Sequence, residues 1–121
     1  MYELMVKDSF AAAHSLRDYK GKCEHIHGHN YGVEAYFKCE KLGADGLAVD
    51  FTVLKDALKN VLDTLDHKHL NEDVDFFSIN NTSAENIARH VYEALKQAVK
   101  AARVFKVCIY ESENAMAAYG E

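Results

Sequence analysis

His27-Gly28-His29 sets two imidazoles two residues apart, the spacing at which strand side chains project to one face. On a strand they would stand roughly 6.6 Å apart, close enough to share one ion. His14 closes an imperfect alternation formed by Tyr2, Leu4, Val6, Asp8, Phe10 and Ala12. If that strand runs antiparallel beside the one opened by His27, the three imidazoles converge at one end of a sheet. Neutral imidazole is the commonest protein metal ligand. Three such ligands with an open fourth position describe a catalytic zinc centre rather than a closed structural one. A set of unrelated, hydrogen-bonded histidines is the plain alternative.

Cys23 lies four residues before His27, in a polar stretch. Beside a dication and Lys22 its thiolate would be favoured, which suits a proton shuttle or nucleophile. Cys39 and Cys108 fall inside alternating stretches and read as packing residues. Asp66-His67 follows a helical pattern; a carboxylate can orient an imidazole and stabilise its cation, giving a base poised near neutral pH. Adjacent helical residues do not face each other, so the pair works only if the helix has already ended. Otherwise His67 and Lys68 simply complement a helix C-terminus. Glu111 ends the apolar row Phe105, Val107, Ile109. It would either accept two charge-assisted hydrogen bonds from an amidine-like N–H pair on a heterocycle or mark a strand fraying into solvent.

The elements that must position these groups follow from periodicity. A first strand covers 2–14, a polar loop 17–26, and a cleanly alternating strand starts at His27, with Tyr31, Val33, Ala35, Phe37 and Cys39 on one face. From about Asp50, Phe51, Leu54, Leu58, Val61, Leu62 and Leu65 recur at helical steps. Thr82-Ser83-Ala84-Glu85 fits a capping box, and the stripe Ile87 to Ala102 predicts a second helix to about Ala102. Strands over 104–111 and 115–119 complete the chain. Strand, strand, helix, helix, strand, strand predicts an α+β domain over 1–121, a four-stranded antiparallel sheet with both helices on one face. The other face and the edges need cover, which association through the sheet would supply.

Composition bounds the rest. The 121 residues carry 14 Lys and Arg, 19 Asp and Glu, seven His, three Cys and no Pro, for a net charge of −5. No basic face suits nucleic acid, and no apolar run approaches the roughly 20 residues of a membrane span. The odd cysteine count and an N-terminus without signal-peptide character point to the cytoplasm. His27-x-His29-x4-Glu34 also resembles the first metal motif of a cupin, but two helices do not suit a jelly roll and parity turns Glu34 away from the histidines. A His-x-His amidohydrolase barrel needs about 200 residues or more.

Together, Phe10-Ala11-Ala12-Ala13-His14, Cys23-x-x-x-His27-Gly28-His29-Asn30-Tyr31, Leu65-Asp66-His67-x-x-Leu70-Asn71, Thr82-Ser83-x-Glu85-Asn86 and Glu111-Ser112 occur in order over nearly the whole chain. In this the sequence resembles the 6-pyruvoyl-tetrahydropterin synthase / 6-carboxy-5,6,7,8-tetrahydropterin synthase family. The resemblance implies a tunnelling fold, trimers stacked into a homohexamer, and interfacial active sites. It implies zinc on His14, His27 and His29, with Cys23 as the proton-transferring thiol and Asp66 and His67 as its partners. Glu111, helped by Thr82 and Ser83, would hold the pterin of 7,8-dihydroneopterin triphosphate. In short bacterial members, loss of triphosphate and acetaldehyde leaves the 6-carboxy product of queuosine biosynthesis. Arg17, Lys20 and Lys22 lie near enough in sequence to meet the triphosphate, although a solvated loop is the simpler account. Two departures stand out. Asn81 replaces the Pro usual before the Thr, a change expected only to loosen the turn. Glu24 follows Cys23, where some relatives carry a Glu and form a 6-hydroxymethylpterin for folate synthesis, so dual activity is a further expectation. A metal-binding assembly protein of the same fold is the non-enzymatic reading.

Overall fold

Two strands, β1 (Tyr2–His14) and β2 (His27–Cys39), pair antiparallel along their whole length, from Tyr2 opposite Cys39 to His14 opposite His27. The structure, a computed structural model, describes residues 1–121 apart from the side chain of Cys23. The alternation that predicted these strands is the burial pattern itself. Val6, Phe10, Ala12 and His14 of β1 and Tyr31, Val33, Ala35 and Phe37 of β2 are buried on one face.

A helix α1 (Phe51–Asp63) starts where predicted: the Asp50 carboxylate caps it by accepting from the Thr52 N–H at 2.9 Å. The chain then forms a two-residue strand β3 (Lys68–His69) and two single turns, α2 (Leu70–Asp73) and α3 (Phe76–Ile79). The second long helix, α4 (Ala84–Ala98), leads into β4 (Arg103–Ser112) and β5 (Ala115–Gly120). The helices α1 and α4 pack against each other and cover the buried face of the sheet, α1 over β1 and α4 over β4 and β5. Leu54, Leu58 and Leu62 of α1 and Ile87, Val91 and Leu95 of α4 join the strand residues in one core.

Three expectations need correction. The sheet is not four-stranded and antiparallel but five-stranded and mixed, in the order β3-β1-β2-β4-β5, because β3 runs parallel to β1 beside Ala12 and Ala13. Two residues are too few to show alternation, so this strand carries no periodic signal. Secondly, α4 stops at Ala98 rather than about Ala102: Val99 is extended (φ −111°, ψ 118°). Val99 and Ala102 are nevertheless buried, so the apolar stripe outlasts the helix. Thirdly, the cap is Ser83 rather than Thr82; its hydroxyl accepts from the Asn86 N–H at 3.2 Å.

The sheet has two unlike ends. His14, His27 and Ser112 mark one, while Tyr2, Cys39, Arg103 and Gly120 mark the other.

Candidate active site

The full antiparallel pairing of β1 and β2 carries His14 opposite His27 and Ala12 opposite His29. The three rings therefore meet edge to face, with centroids 4.5, 5.2 and 4.8 Å apart. One ring nitrogen from each of His14, His27 and His29 lies within 4.8 Å of the other two, so the trio could hold a metal ion. Main-chain carbonyls fix two of the rings. His14 Nδ1 donates to Thr82 O at 2.8 Å and His27 Nδ1 donates to His25 O at 2.7 Å. That tautomer leaves both Nε2 atoms as lone-pair donors, and they face one another at 3.0 Å. Such an arrangement is repulsive unless a proton or a cation is shared. His29 Nε2 is buried with no hydrogen-bond partner among the described residues. Three neutral imidazole donors, two of them oriented by carbonyl acceptors, are what a zinc-class ion requires. Burial is the largest influence on His14 and pushes its imidazole below the usual range. The Thr82 carbonyl and the Glu111 carboxylate pull the other way, and His27 and His29 add to the lowering.

Asp66 and His67 do form a pair. The helix has ended at Asp63, and His67 adopts a left-handed φ of 58° that swings its ring back toward Asp66. His67 Nδ1 meets Asp66 Oδ2 at 2.9 Å, and the His67 side chain is 83% exposed. Asp66 Oδ1 accepts the Ala11 N–H at 2.9 Å, while the His67 N–H donates to Ala11 O at 2.6 Å. These bonds tie the dyad to the edge of β1, three residues before His14. The Ala11 N–H holds the Asp66 carboxyl below the usual carboxylate range, with His67 contributing in the same sense. His67 overhangs a cleft of about 500 Å³ lined by small residues, Ala11, Ala13 and Gly28, together with Asn30 and His69.

Glu111 and Ser83 share a smaller pocket of about 260 Å³ with Leu16, Glu85 and Met116. Ser83 spends its hydroxyl as the α4 cap. Thr82 is fully buried: its hydroxyl donates to Ser15 O at 3.0 Å, and its carbonyl orients His14. Thr82 thus faces inward as a brace. Glu24 sits in a short 3₁₀ turn, Lys22–Glu24, with Oε1 3.6 Å from the exposed His25. The thiol expected to transfer protons, Cys23, lies outside the described residues. Cys39 is half-buried and donates to Lys41 O at 3.1 Å, and Cys108 is buried, as packing residues should be. Arg17 does not stand free, since its guanidinium donates to Phe77 O at 2.9 Å. Glu34 accepts from the hydroxyls of Tyr36 (3.0 Å) and Tyr110 (3.3 Å), away from the histidines. This pairing removes the cupin reading. The carbonyls of Thr82 and His25 were missed from sequence because main-chain acceptors have no residue-type signature.

Helices on one face of an antiparallel-dominated sheet, with an open three-histidine site at one end, define a tunnelling-fold subunit equipped for metal chemistry. The family described as 6-pyruvoyl tetrahydropterin synthase matches residues 3–121, and the chain belongs to it. It is therefore a tetrahydropterin synthase in the broad sense. A putative 6-pyruvoyl tetrahydrobiopterin synthase of Caenorhabditis elegans is 35% identical over 125 residues, covering 93% of this chain and 89% of the relative. A putative 6-carboxy-5,6,7,8-tetrahydropterin synthase of Archaeoglobus fulgidus is 34% identical over 109 residues, covering 90% of this chain and 87% of that protein. The solved structure of Caenorhabditis elegans 6-pyruvoyl tetrahydropterin synthase superposes with a TM-score of 0.90 at 32% identity, covering 99% of this chain and 95% of that one. No helix of the described residues is long and apolar enough to cross a membrane.

Proposed function

We propose that the 121-residue chain is a single-domain, zinc-dependent 6-carboxy-5,6,7,8-tetrahydropterin synthase of queuosine biosynthesis. It would convert 7,8-dihydroneopterin triphosphate and water to 6-carboxytetrahydropterin, acetaldehyde and triphosphate. The observation that carries this reading is the pairing of an open three-histidine cluster with an exposed Asp66–His67 dyad on the same strand end. His14, His27 and His29 would hold the ion. When bound, zinc lowers the pKa of side-chain hydroxyls and favours developing negative charge on their oxygens. Asp66 keeps its carboxylate aimed at His67 Nδ1, so Nε2 of that ring is the atom that accepts and returns protons. Cys23 serves as the second proton-transfer group, and Glu111 accepts the N–H pair of the pterin ring at the mouth of the Ser83 pocket. Exposure of His67 and an open sheet face support association through the sheet with sites between subunits; the homohexamer of two trimers and the cytoplasm are part of the reading carried from the family resemblance.

The sequence similarity to named 6-pyruvoyl synthases makes that product the second reading, and Glu24 keeps formation of 6-hydroxymethyl-dihydropterin as a side activity in play. Purified protein incubated with dihydroneopterin triphosphate and zinc should yield 6-carboxytetrahydropterin with acetaldehyde by mass spectrometry. Accumulation of the 6-pyruvoyl compound, or recovery of unchanged substrate, overturns the assignment. A 6-hydroxymethyl product lost in Glu24→Ala would establish the dual activity, and its absence would remove it.

A further inference from the structure

The segment that follows His14 is held by two asparagine side chains acting as stand-ins for a neighbouring strand. Asn71 Oδ1 accepts the Ser15 N–H and its Nδ2 donates to Ser15 O, both at 2.9 Å. Two residues on, Asn81 repeats the device: its Oδ1 accepts the Arg17 N–H at 2.9 Å and its Nδ2 donates to Arg17 O at 2.8 Å. Asn81 Oδ1 also accepts from the Thr82 N–H at 3.0 Å, and Asn81 O accepts from Asn86 Nδ2 at 3.0 Å. Far from loosening the turn, Asn81 bolts it. A proline at this position has no side-chain donor or acceptor and could make none of the three side-chain bonds.

The residue between the two clamped positions is Leu16, which lines the pocket shared by Ser83 and Glu111. The other wall of that pocket is the start of α4, where Ser83 and Ala84 follow directly on Asn81 and Thr82. Asn81 therefore links the two walls indirectly, by side-chain bonds to Arg17 beside Leu16 and by the chain through Thr82 to Ser83. The Thr82 carbonyl bond to His14 is made by the main chain and uses no atom of the Asn81 side chain.

We propose that Asn81 is a positioning residue of this chain, setting the spacing between Leu16 and Ser83 and hence the width of the slot that receives the pterin ring at Glu111. This rests on the reading that Glu111 and Ser83 hold the ring. Asn71 holds the residue before Leu16 and Asn81 the residue after it; of the two, only Asn81 is also joined through two residues of chain to Ser83. Loss of the Asn81 amide should weaken binding of the ring and leave the chemistry at the histidines and at His67 as it is. The expected pattern is a higher KM with kcat kept.

The test uses the intact protein and neopterin, a fluorescent oxidised pterin without the triphosphate. Wild type should bind neopterin and Glu111→Gln should lose it; failure there counts against the ring site, not the clamp. With that established, Asn81→Ala should weaken neopterin about tenfold, the worth of about one hydrogen bond. Its zinc content and its kcat on dihydroneopterin triphosphate should stay within about twofold of wild type, the scale of an unaffected step. In hydrogen exchange, the Arg17 amide should lose protection while the Ser15 amide, held by Asn71, keeps it. Asn81→Asp retains the acceptor for Arg17 and Thr82 but has no donor for Arg17 O, so it should keep Arg17 protected and weaken neopterin by a smaller factor. If Asn81→Ala does not fold, Asn81→Asp decides alone. Unchanged neopterin affinity, or a fall in kcat at constant KM, overturns the proposal.

Discussion

The two chemical groups at the end of β1 are built in opposite ways. The histidine cluster is anchored in the core by its deepest member: His14 is 1% exposed and its ring is oriented by a main-chain carbonyl, while His27 and His29 are half-buried. The dyad hangs on the sheet edge, with His67 at 83% side-chain exposure and a single left-handed residue setting its direction. The first arrangement is rigid and suits fixed ligands of an ion. The second is open to solvent and to whatever approaches the sheet, which suits the proton exchange proposed for it. Burial and access have been divided between His14 on β1 and a dyad docked on the same strand at Ala11.

The sharpest way to break this contrast is to remove one member of each set. His14→Ala should lose stoichiometric zinc, measured by metal analysis, and all turnover with it. His67→Ala should keep the zinc and its melting temperature, because a surface side chain of this exposure contributes little to stability. Its turnover should nevertheless drop by about 10²–10⁴, the range for a lost general acid or base. Asp66→Asn should fall between wild type and His67→Ala, by about 10–100-fold, as for other groups that orient an imidazole. Zinc loss in His67→Ala would show that the two regions are one unit.

A gentler test is acid. Metal binding requires neutral imidazoles, and burial holds His14 below the usual range, so zinc should leave only as pH falls below the ordinary histidine range. The Asp66 carboxyl is held below its usual value, so its contribution to stability is full above the ordinary carboxylate range and is lost only as pH falls through it. Between those two windows the protein should be metal-free with the Asp66 bond to the Ala11 N–H intact, readable as retained protection of that amide. Simultaneous loss of zinc and protection would contradict the separation.

What was legible in the sequence follows the same division. β1 and β2 alternate because one face is buried, and the same parity and register put His14, His27 and His29 on that face. The dyad was ambiguous for a physical reason: adjacency in sequence gives contact only if the backbone turns sharply, and nothing in a histidine announces φ of 58°. The same limit hid β3, which is too short for a pattern, and shifted the α4 cap by one residue, since Thr82 and Ser83 are both cap-forming types. What separates them is the burial of Thr82 beneath His14.

The unlike ends of the sheet also bear on how the protein tolerates change in length. Tyr2, Gly120 and the exposed connection 40–47 between β2 and α1 all lie at the end away from the histidines. A segment fused ahead of β1 or behind β5, or inserted into that connection, would emerge remote from the ligands. An insertion of even one residue between Ala12 and His14 would instead reverse which face the imidazole meets. Lineages and engineers alike have a free end to extend and a fixed end to leave alone.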